Sequence, residues 1–228
     1  NLPNSYVKIP IVEMNDNNED TKKITPYDTM EKFINLINVK FLNGCIYCYN
    51  NRFYESINDT RLSNFIIHYF RDDVSRKGNG RFVDEVIVLL KKEPRIVFDE
   101  DDISKQYVSF ENGVLNLRDY CLYPSSHIYF TFYCVNANYL TTENPATPTF
   151  DAFLETVSQG DQCLIKRIWE MIGYILAGDT SAKVIFLLQG VSNSGKSVLT
   201  EVISKLLSKN AVITLDVHDL CTEFATAE

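Results

Sequence analysis

Val184-Ile-Phe-Leu-Leu-Gln-Gly-Val-Ser-Asn-Ser-Gly-Lys-Ser-Val-Leu-Thr-Glu-Val-Ile-Ser-Lys-Leu-Leu207 holds a strand signal, a loop motif and a helix signal in succession. Val184–Leu188 is a continuous apolar run suited to a strand buried on both faces. Gly190 to Ser197 fits the G-x-x-x-x-G-K-[ST] pattern. Apolar residues at 198, 199, 202, 203, 206 and 207 predict a helix over Val198–Leu207. That order is the context a phosphate-binding loop requires. Glycines let backbone N–H groups converge on an anion, and the positive end of the following helix dipole faces the same point. Gly190, Val191, Ser192, Asn193, Ser194, Gly195, Lys196 and Ser197 are therefore the candidate cradle for ATP. Lys196 is the candidate catalytic cation, reaching the β and γ phosphates, and the Ser197 hydroxyl is the candidate Mg2+ ligand. The plainer reading of these residues is a glycine-containing strand-to-helix turn with a chance Lys-Ser.

Hydrolysis would also need a later strand ending in an acid, to hold the metal and order water. Val212–Leu215 followed by Asp216 predicts a strand, but it follows the loop helix directly and reads as a structural neighbour rather than the metal strand. Arg95–Phe98 followed by four acids, Asp99–Asp102, has the right look in the wrong place, far upstream of the loop, and reads as a solvated acidic turn.

Composition sets wider bounds. The chain has 228 residues, 22 Lys+Arg against 30 Asp+Glu and a net charge of −8, with 45% hydrophobic and 23% charged residues. This is one large domain or two small ones with enough apolar material for a core, and it excludes a disordered or collagen-like chain. Its apolar runs fall far short of the roughly 18 residues of a membrane span. The opening Asn-Leu-Pro-Asn-Ser-Tyr-Val-Lys-Ile-Pro10 lacks an export pattern and an initial Met, so a trimmed cytoplasmic chain is expected. Six cysteines then read as reduced thiols. The acidic balance argues against holding nucleic acid by net charge but leaves room for a local basic groove. Arg76-Lys-Gly-Asn-Gly-Arg81 is the best such candidate, with Arg76, Lys77 and Arg81 available to DNA phosphates; a solvated turn is the competing reading. Cys45-x-x-Cys48 has no second ligand pair, and strand alternation would send its two thiols to opposite faces. His68, His127 and His218 stand apart from any nucleophile pattern.

The fold class read from these patterns is α/β. An extended arm over Tyr6–Val12 and a polar loop over Asn15–Asp20 precede a helix from Thr29 to about Phe41, opened by an Asp28–Glu31 capping box. Cys45–Tyr49 and Arg52–Glu55 flank Asn50-Asn51 as a hairpin. Helices follow from Asp59 through Phe70 and from Phe82 to Lys92, with Pro94 as the stop. Tyr107–Phe110, Val114–Leu117 and Ile128–Val135 read as strands, and the aromatics from Tyr120 to Tyr139 as core. Thr141–Pro148 is the candidate linker. Helices follow over Thr149–Val157 and Gln162–Ala177, the latter with a core stripe of Ile165, Ile168, Trp169, Ile172, Ile175 and Leu176.

Phe110-Glu-Asn-Gly-Val-Leu-Asn-Leu117, then Ile172-Gly-Tyr-Ile-Leu-Ala-Gly-Asp-Thr180, then the apolar run and the loop, resemble phage and plasmid primase-helicases and the poxvirus replicative NTPase. The resemblance runs from about Phe41 to the end. It implies a mixed α+β N-terminal region followed by the start of a P-loop NTPase, an AAA+-like superfamily 3 helicase domain. The division it suggests is an arm and helix over 1–40, a mixed domain over 41–178, and the first part of the ATPase over 179–228. It further implies an ATP-dependent DNA helicase in replication of a phage, plasmid, mobile element or virus, a hydrolase with ATP and Mg2+ as cofactors. Single-stranded DNA, further copies in a hexameric ring and other replication proteins would be its partners, with no membrane. The acidic strand, polar sensor, arginine finger and DNA-contacting hairpin are expected beyond Glu228, so the fragment alone is expected to be inactive. Ser192 and Ser194 depart from the family's frequent Gly-x-Gly-x-Asn-Gly-Lys loop. The rival readings are a non-catalytic assembly or DNA-loading module and another P-loop NTPase, such as a small-molecule kinase.

Overall fold

The computed structural model describes residues 24–71, 80–99, 105–141 and 145–216. The Tyr6–Val12 arm, the Asn15–Asp20 loop and the acids Glu100–Asp102 lie outside the described residues. The chain packs as two compact units, Asn1–Ser109 with Gly113–Phe132, and Phe110–Asn112 with Tyr133–Glu228. The seams fall at Phe110–Asn112 and after Phe132, away from the Thr141–Pro148 stretch.

The first unit begins with helix α1 (Pro26–Leu36). Thr25 is its N-cap: the Thr25 Oγ1 accepts from the Asp28 N–H at 3.2 Å, and the Asp28 carboxylate accepts from the Thr25 N–H at 2.8 Å. The capping box therefore lies one turn earlier than the sequence suggested, with Asp28 as its acid rather than its cap. The helix also stops at Leu36 instead of Phe41, because Val39–Leu42 forms strand β1 and pairs with β2 (Cys45–Tyr49) in the register Val39↔Cys48, Leu42↔Cys45. Apolar spacing in Ile37–Phe41 suits a helix, but ladder hydrogen bonds and β-branched Val39 favour the strand once a partner is available. Asn43 and Gly44, at φ 49° and 83°, make the tight turn.

Strand β3 (Tyr54–Ile57) completes the antiparallel sheet in the order β1-β2-β3, with Ile46↔Ile57 and Tyr49↔Tyr54 opposed. A turn forms at Asn50-Asn51 as expected, with the Asn50 Oδ1 accepting from the N–H groups of Arg52 and Phe53, both at 3.1 Å, but it takes in Arg52 and Phe53, so the second strand starts at Tyr54 rather than Arg52. Helices α2 (Asp59–Tyr69), capped by Asn58 rather than Asp59, and α3 (Gly80–Lys92) follow.

Strand β2 alternates between two cores. Ile46 and Cys48 face a cluster with Phe33 of α1, Leu62 and Ile66 of α2, and Val86 and Leu90 of α3, all at 1% exposure or less. Tyr47 and Tyr49 face an aromatic cluster with Tyr54, Phe98, Phe130 and Phe132. Cys45 is exposed and Cys48 fully buried, its thiol pushed up to about 12 by desolvation, so the two sulfurs of the C-x-x-C do diverge.

A meander of β4 (Tyr107–Phe110), β5 (Gly113–Asn116) and β6 (Leu122–Tyr123) follows, in the sheet order β6-β5-β4. The strand expected over Ile128–Val135 shrinks to β7 (Cys134–Val135). Its earlier part is irregular because its polar groups are used elsewhere. The Thr131 carbonyl accepts from the Tyr54 N–H at 2.7 Å, and the His127 carbonyl accepts from the Tyr54 hydroxyl at 2.8 Å. The Thr131 hydroxyl meets that of Ser109 at 2.6 Å, and Ser109 also donates to the Arg52 carbonyl at 3.0 Å. The expectation that the aromatics of 120–139 are core holds for Phe130, while Tyr120 is 69% exposed.

The second unit contains α4 (Pro148–Ser158), α5 (Gln162–Ala177) and α6 (Lys196–Leu206). Asp161 caps α5, accepting from Cys163 and Leu164 N–H groups at 2.9 and 3.2 Å. Leu154, Ile168, Met171, Ile172, Leu199 and Ile203 form the core. Trp169 does not join it: it is 43% exposed, and its ring sits T-shaped to that of Phe150 with centroids 5.3 Å apart. Two predicted strands are absent. Val184–Leu188 and Val212–Leu215 are irregular, with Ile185 95% and Ile213 67% exposed. A strand needs a neighbour for its backbone groups, and among the described residues no strand pairs with either segment. The observed class is thus mixed α/β, without the central sheet of an ATPase among the described residues. No described helix is long and apolar enough to cross a membrane.

Leu62 and Ile66 both have zero exposure at the centre of the first core. Truncating either to Ala is expected to lower unfolding free energy by about 2–5 kcal/mol, read from urea denaturation midpoints at constant slope. Arg95 ties Glu31 of α1 to Glu93, donating to Glu31 with both terminal nitrogens and to Glu93 at 2.6 Å. These hydrogen bonds hold both carboxyls below the usual glutamate value. Their contribution is therefore complete above that value and lost as pH falls through the depressed one. Arg95→Met is expected to destabilise the chain at neutral pH and to converge with the parent protein in acid, as followed by thermal melting across pH.

Candidate functional site

The loop from Gly190 to Ser197 closes around one ammonium group. Helix α6 starts at Lys196, immediately after Gly195 at φ 86°, and Asn193 takes φ 60° within the loop. These two left-handed residues turn the chain back on itself, which glycine and asparagine tolerate best. The Lys196 side chain folds into the ring so formed. Its Nζ donates to the carbonyls of Gly190 at 2.9 Å and Val191 at 2.8 Å, and to the Ser194 Oγ at 3.0 Å.

Gly195 is required by space as well as by angle, whereas Gly190 is favoured by space alone. A Cβ on Gly190 would lie 2.9 Å from the Ser194 Oγ. On Gly195 it would lie 2.6 Å from the Val157 Cγ1 and 3.1 Å from the Phe153 ring, both on α4. The loop therefore rests directly on α4. Ser197 is exposed in the first turn of α6, and Val191 is 80% exposed at the rim.

Of the eight residues singled out in the sequence, Gly190, Val191, Ser194 and Lys196 meet through the ammonium contacts, Ser192, Asn193 and Gly195 lie in the loop between them, and Ser197 follows in the first turn of α6. A lysine ammonium, the first N–H groups of a helix and the positive end of its dipole make an arrangement that suits a polyanion, with an exposed hydroxyl beside it for a hard divalent cation. The other candidates fare differently. Arg76 and Lys77 lie outside the described residues, while Arg81 is exposed at the start of α3 and pairs with Glu85 at 3.3 Å. Asp216 ends an irregular stretch rather than a strand, so the strand-end carboxylate geometry is not formed. His68 packs edge-on to Tyr69 and His127 lies 6.3 Å from the Tyr49 ring, in contacts of packing rather than catalysis; His218 is outside the described residues.

The sequence reading missed the supports of the loop. Phe153 and Val157 stand about forty residues before Gly195, and nothing in their local pattern distinguishes them from any apolar helix face. It also missed Tyr133 at the end of α5: its hydroxyl donates to the Leu176 carbonyl at 2.8 Å, its ring blocks a Cβ at Gly178, and burial pushes its phenol up to about 12.

Among known proteins, the model of the family described as D5 N terminal like matches residues 17–159. The match starts upstream of Phe41, where the motif resemblance begins, takes in α1 through α4, and ends before the Gly190–Ser197 loop. No curated protein matches the chain. With more than half of its length covered, the chain belongs to the D5 N terminal like family, the N-terminal domain of the D5-type primase-helicase proteins of phages and poxviruses.

Proposed function

We propose that the Gly190–Ser197 loop binds ATP with Mg2+, and that the protein acts as an ATP-dependent DNA helicase of the primase-helicase type. The observation that carries this reading is the Lys196 ammonium held inside the loop by two carbonyls and a hydroxyl at the start of α6. Nucleotide phosphate oxygens are better partners for an ammonium than neutral carbonyls, so a triphosphate would displace those contacts. The loop N–H groups then face the phosphates, Lys196 neutralises the β and γ groups, and Ser197 holds the metal. Bound Mg2+ supplies charge neutralisation of the phosphates during water attack. Membership of the D5 N terminal like family supports the replicative setting. In that setting the partners are single-stranded DNA, further copies of the chain in a ring and other replication proteins, with Arg76, Lys77 and Arg81 contacting DNA phosphates.

Calorimetric titration with Mg-ATP is expected to show binding that Lys196→Ala weakens by at least about tenfold, the loss of a charge-assisted contact of roughly 1.5–3 kcal/mol. Ser197→Ala is expected to reduce the Mg2+ dependence of binding more than binding of metal-free nucleotide. Affinity indifferent to Lys196→Ala would overturn the nucleotide reading. The helicase reading is checked by DNA-stimulated ATP hydrolysis in the protein at its natural length, and hydrolysis unaffected by single-stranded DNA would count against it.

Gly195→Ala is expected to abolish nucleotide binding by forcing the loop off α4. Because Val157 supplies the nearest obstruction, adding Val157→Ala should restore part of that loss; the left-handed φ at Gly195 prevents full recovery.

A further inference from the structure

We infer that Asn136 is a positioning residue for the phosphate loop, acting from the opposite end of α6. This rests on the nucleotide reading of Gly190–Ser197 and adds a second determinant of that site, within the span matched by the D5 N terminal like family.

A helix leaves its last carbonyls without partners, and many helices solve this with a left-handed glycine just past the end. Helix α6 does not. Its C-cap, Leu207, is extended at φ −101° and ψ 149°, and Ser208 follows. Asn136 takes three of the terminal carbonyls instead. Its backbone N–H donates to the Leu206 carbonyl at 2.7 Å, and its Nδ2 donates to the carbonyls of Leu207 at 2.7 Å and Lys205 at 3.2 Å. The flanking residues reinforce the grip. Val135 and Leu207 form an antiparallel bridge, the Ser208 N–H donates to the Cys134 carbonyl at 2.9 Å, and the Cys134 N–H donates to the Ser208 Oγ at 3.2 Å.

The same short segment fixes a second helix end. Tyr133, three residues before Asn136, donates to the Leu176 carbonyl in the last turn of α5 and packs on Gly178, the C-cap. Tyr133–Asn136 thus ties the C-terminal end of α5, where the stretch from Gly178 to Gly195 begins, to the C-terminal end of α6, the helix whose first turn closes that stretch. At about 1.5 Å per residue, the eleven residues of α6 place Asn136 roughly 16 Å from the loop. Asn136 therefore acts on Lys196 through the helix axis: releasing α6 at its far end lets the helix slide or tilt, and its first-turn N–H groups and Lys196 move off the ring.

The test is Mg-ADP and Mg-ATP titration of the full chain, with melting measured in parallel with and without nucleotide, for the parent protein, Asn136→Ala, Asn136→Asp and Lys196→Ala. Asn136→Ala is expected to weaken nucleotide binding about five- to tenfold, the loss of one or two net hydrogen bonds transmitted to the site. Asn136→Asp is expected to weaken it further, because it sets a carboxylate against helix C-terminal carbonyls. The melting increment produced by saturating nucleotide should shrink in the same order. A residue that merely caps the helix would lower the melting temperature equally with and without nucleotide and leave affinity intact; that result overturns the inference while Lys196→Ala still weakens binding. Parent protein and Lys196→Ala binding alike would instead overturn the nucleotide reading itself. Should the Asn136 variants fail to fold, Ser208→Ala, which removes only the acceptor for the Cys134 N–H, carries the same test: a smaller loss of affinity supports the inference and unchanged affinity overturns it.

Discussion

A loop that converges two carbonyls and a hydroxyl on one point sets like-signed oxygen dipoles side by side, and the Lys196 ammonium offsets that from within while packing contacts hold the loop from outside. The second unit is organised around that requirement. Gly195 bears on Phe153 and Val157 of α4, leaving no space for a side chain. Helix α6 carries Lys196 at one end and is gripped at the other by Asn136. Helix α5, whose Ile168 and Ile172 share a core with Leu199 and Ile203 of α6, is anchored at its end by Tyr133. Each support is a contact between residues distant in sequence, and each restrains the ring that surrounds Lys196.

The first unit solves a different problem, how to fill both faces of a small sheet. Strand β2 does so by alternation: Ile46 and Cys48 enter an aliphatic core under three helices, while Tyr47 and Tyr49 enter an aromatic one. The second core is built from the irregular stretch before β7, whose Phe130 lies 4.8 Å from the Tyr54 ring and 4.7 Å from that of Phe132. Aromatic side chains with edge-to-face geometry can fill such space without a regular backbone behind them. That freedom lets Thr131 spend its polar groups on Tyr54 and Ser109 rather than on a neighbouring strand.

These two solutions explain what could be read from sequence. The turn itself was legible because it is local: Lys196 reaches back to Gly190, Val191 and Ser194, all within eight adjacent residues whose types the motif states. Helices α3, α4 and α5 were legible because apolar period and end signals agreed. Helix α1 ran too long on paper because Val39 and Phe41 fit helical spacing until Cys48 and Ile46 oppose them, and the Asn43-Gly44 turn that announces the hairpin was passed over. Ile128–Val135 has the composition of a strand, yet composition does not say where backbone groups find partners. Asn136 was invisible for the same reason. An exposed asparagine between short apolar runs looks like any loop residue until the end of α6 arrives beside it.

The boundary suggested by family likeness and the boundary imposed by packing do not coincide. The matched span ends at residue 159, one position after α4, whereas α4 shares its core with α5 and α6 and supports Gly195. Tyr133 and Asn136 also lie inside the matched span and hold elements outside it. A cut at residue 159 would leave Leu154 without the apolar neighbours that bury it, and would leave α6 with three open carbonyls and a loop without its brace. The physical unit that presents Lys196 therefore begins no later than Tyr133, and the family-matched segment meets that unit both by direct packing, Phe153 and Val157 on Gly195, and at helix ends, Tyr133 on α5 and Asn136 on α6.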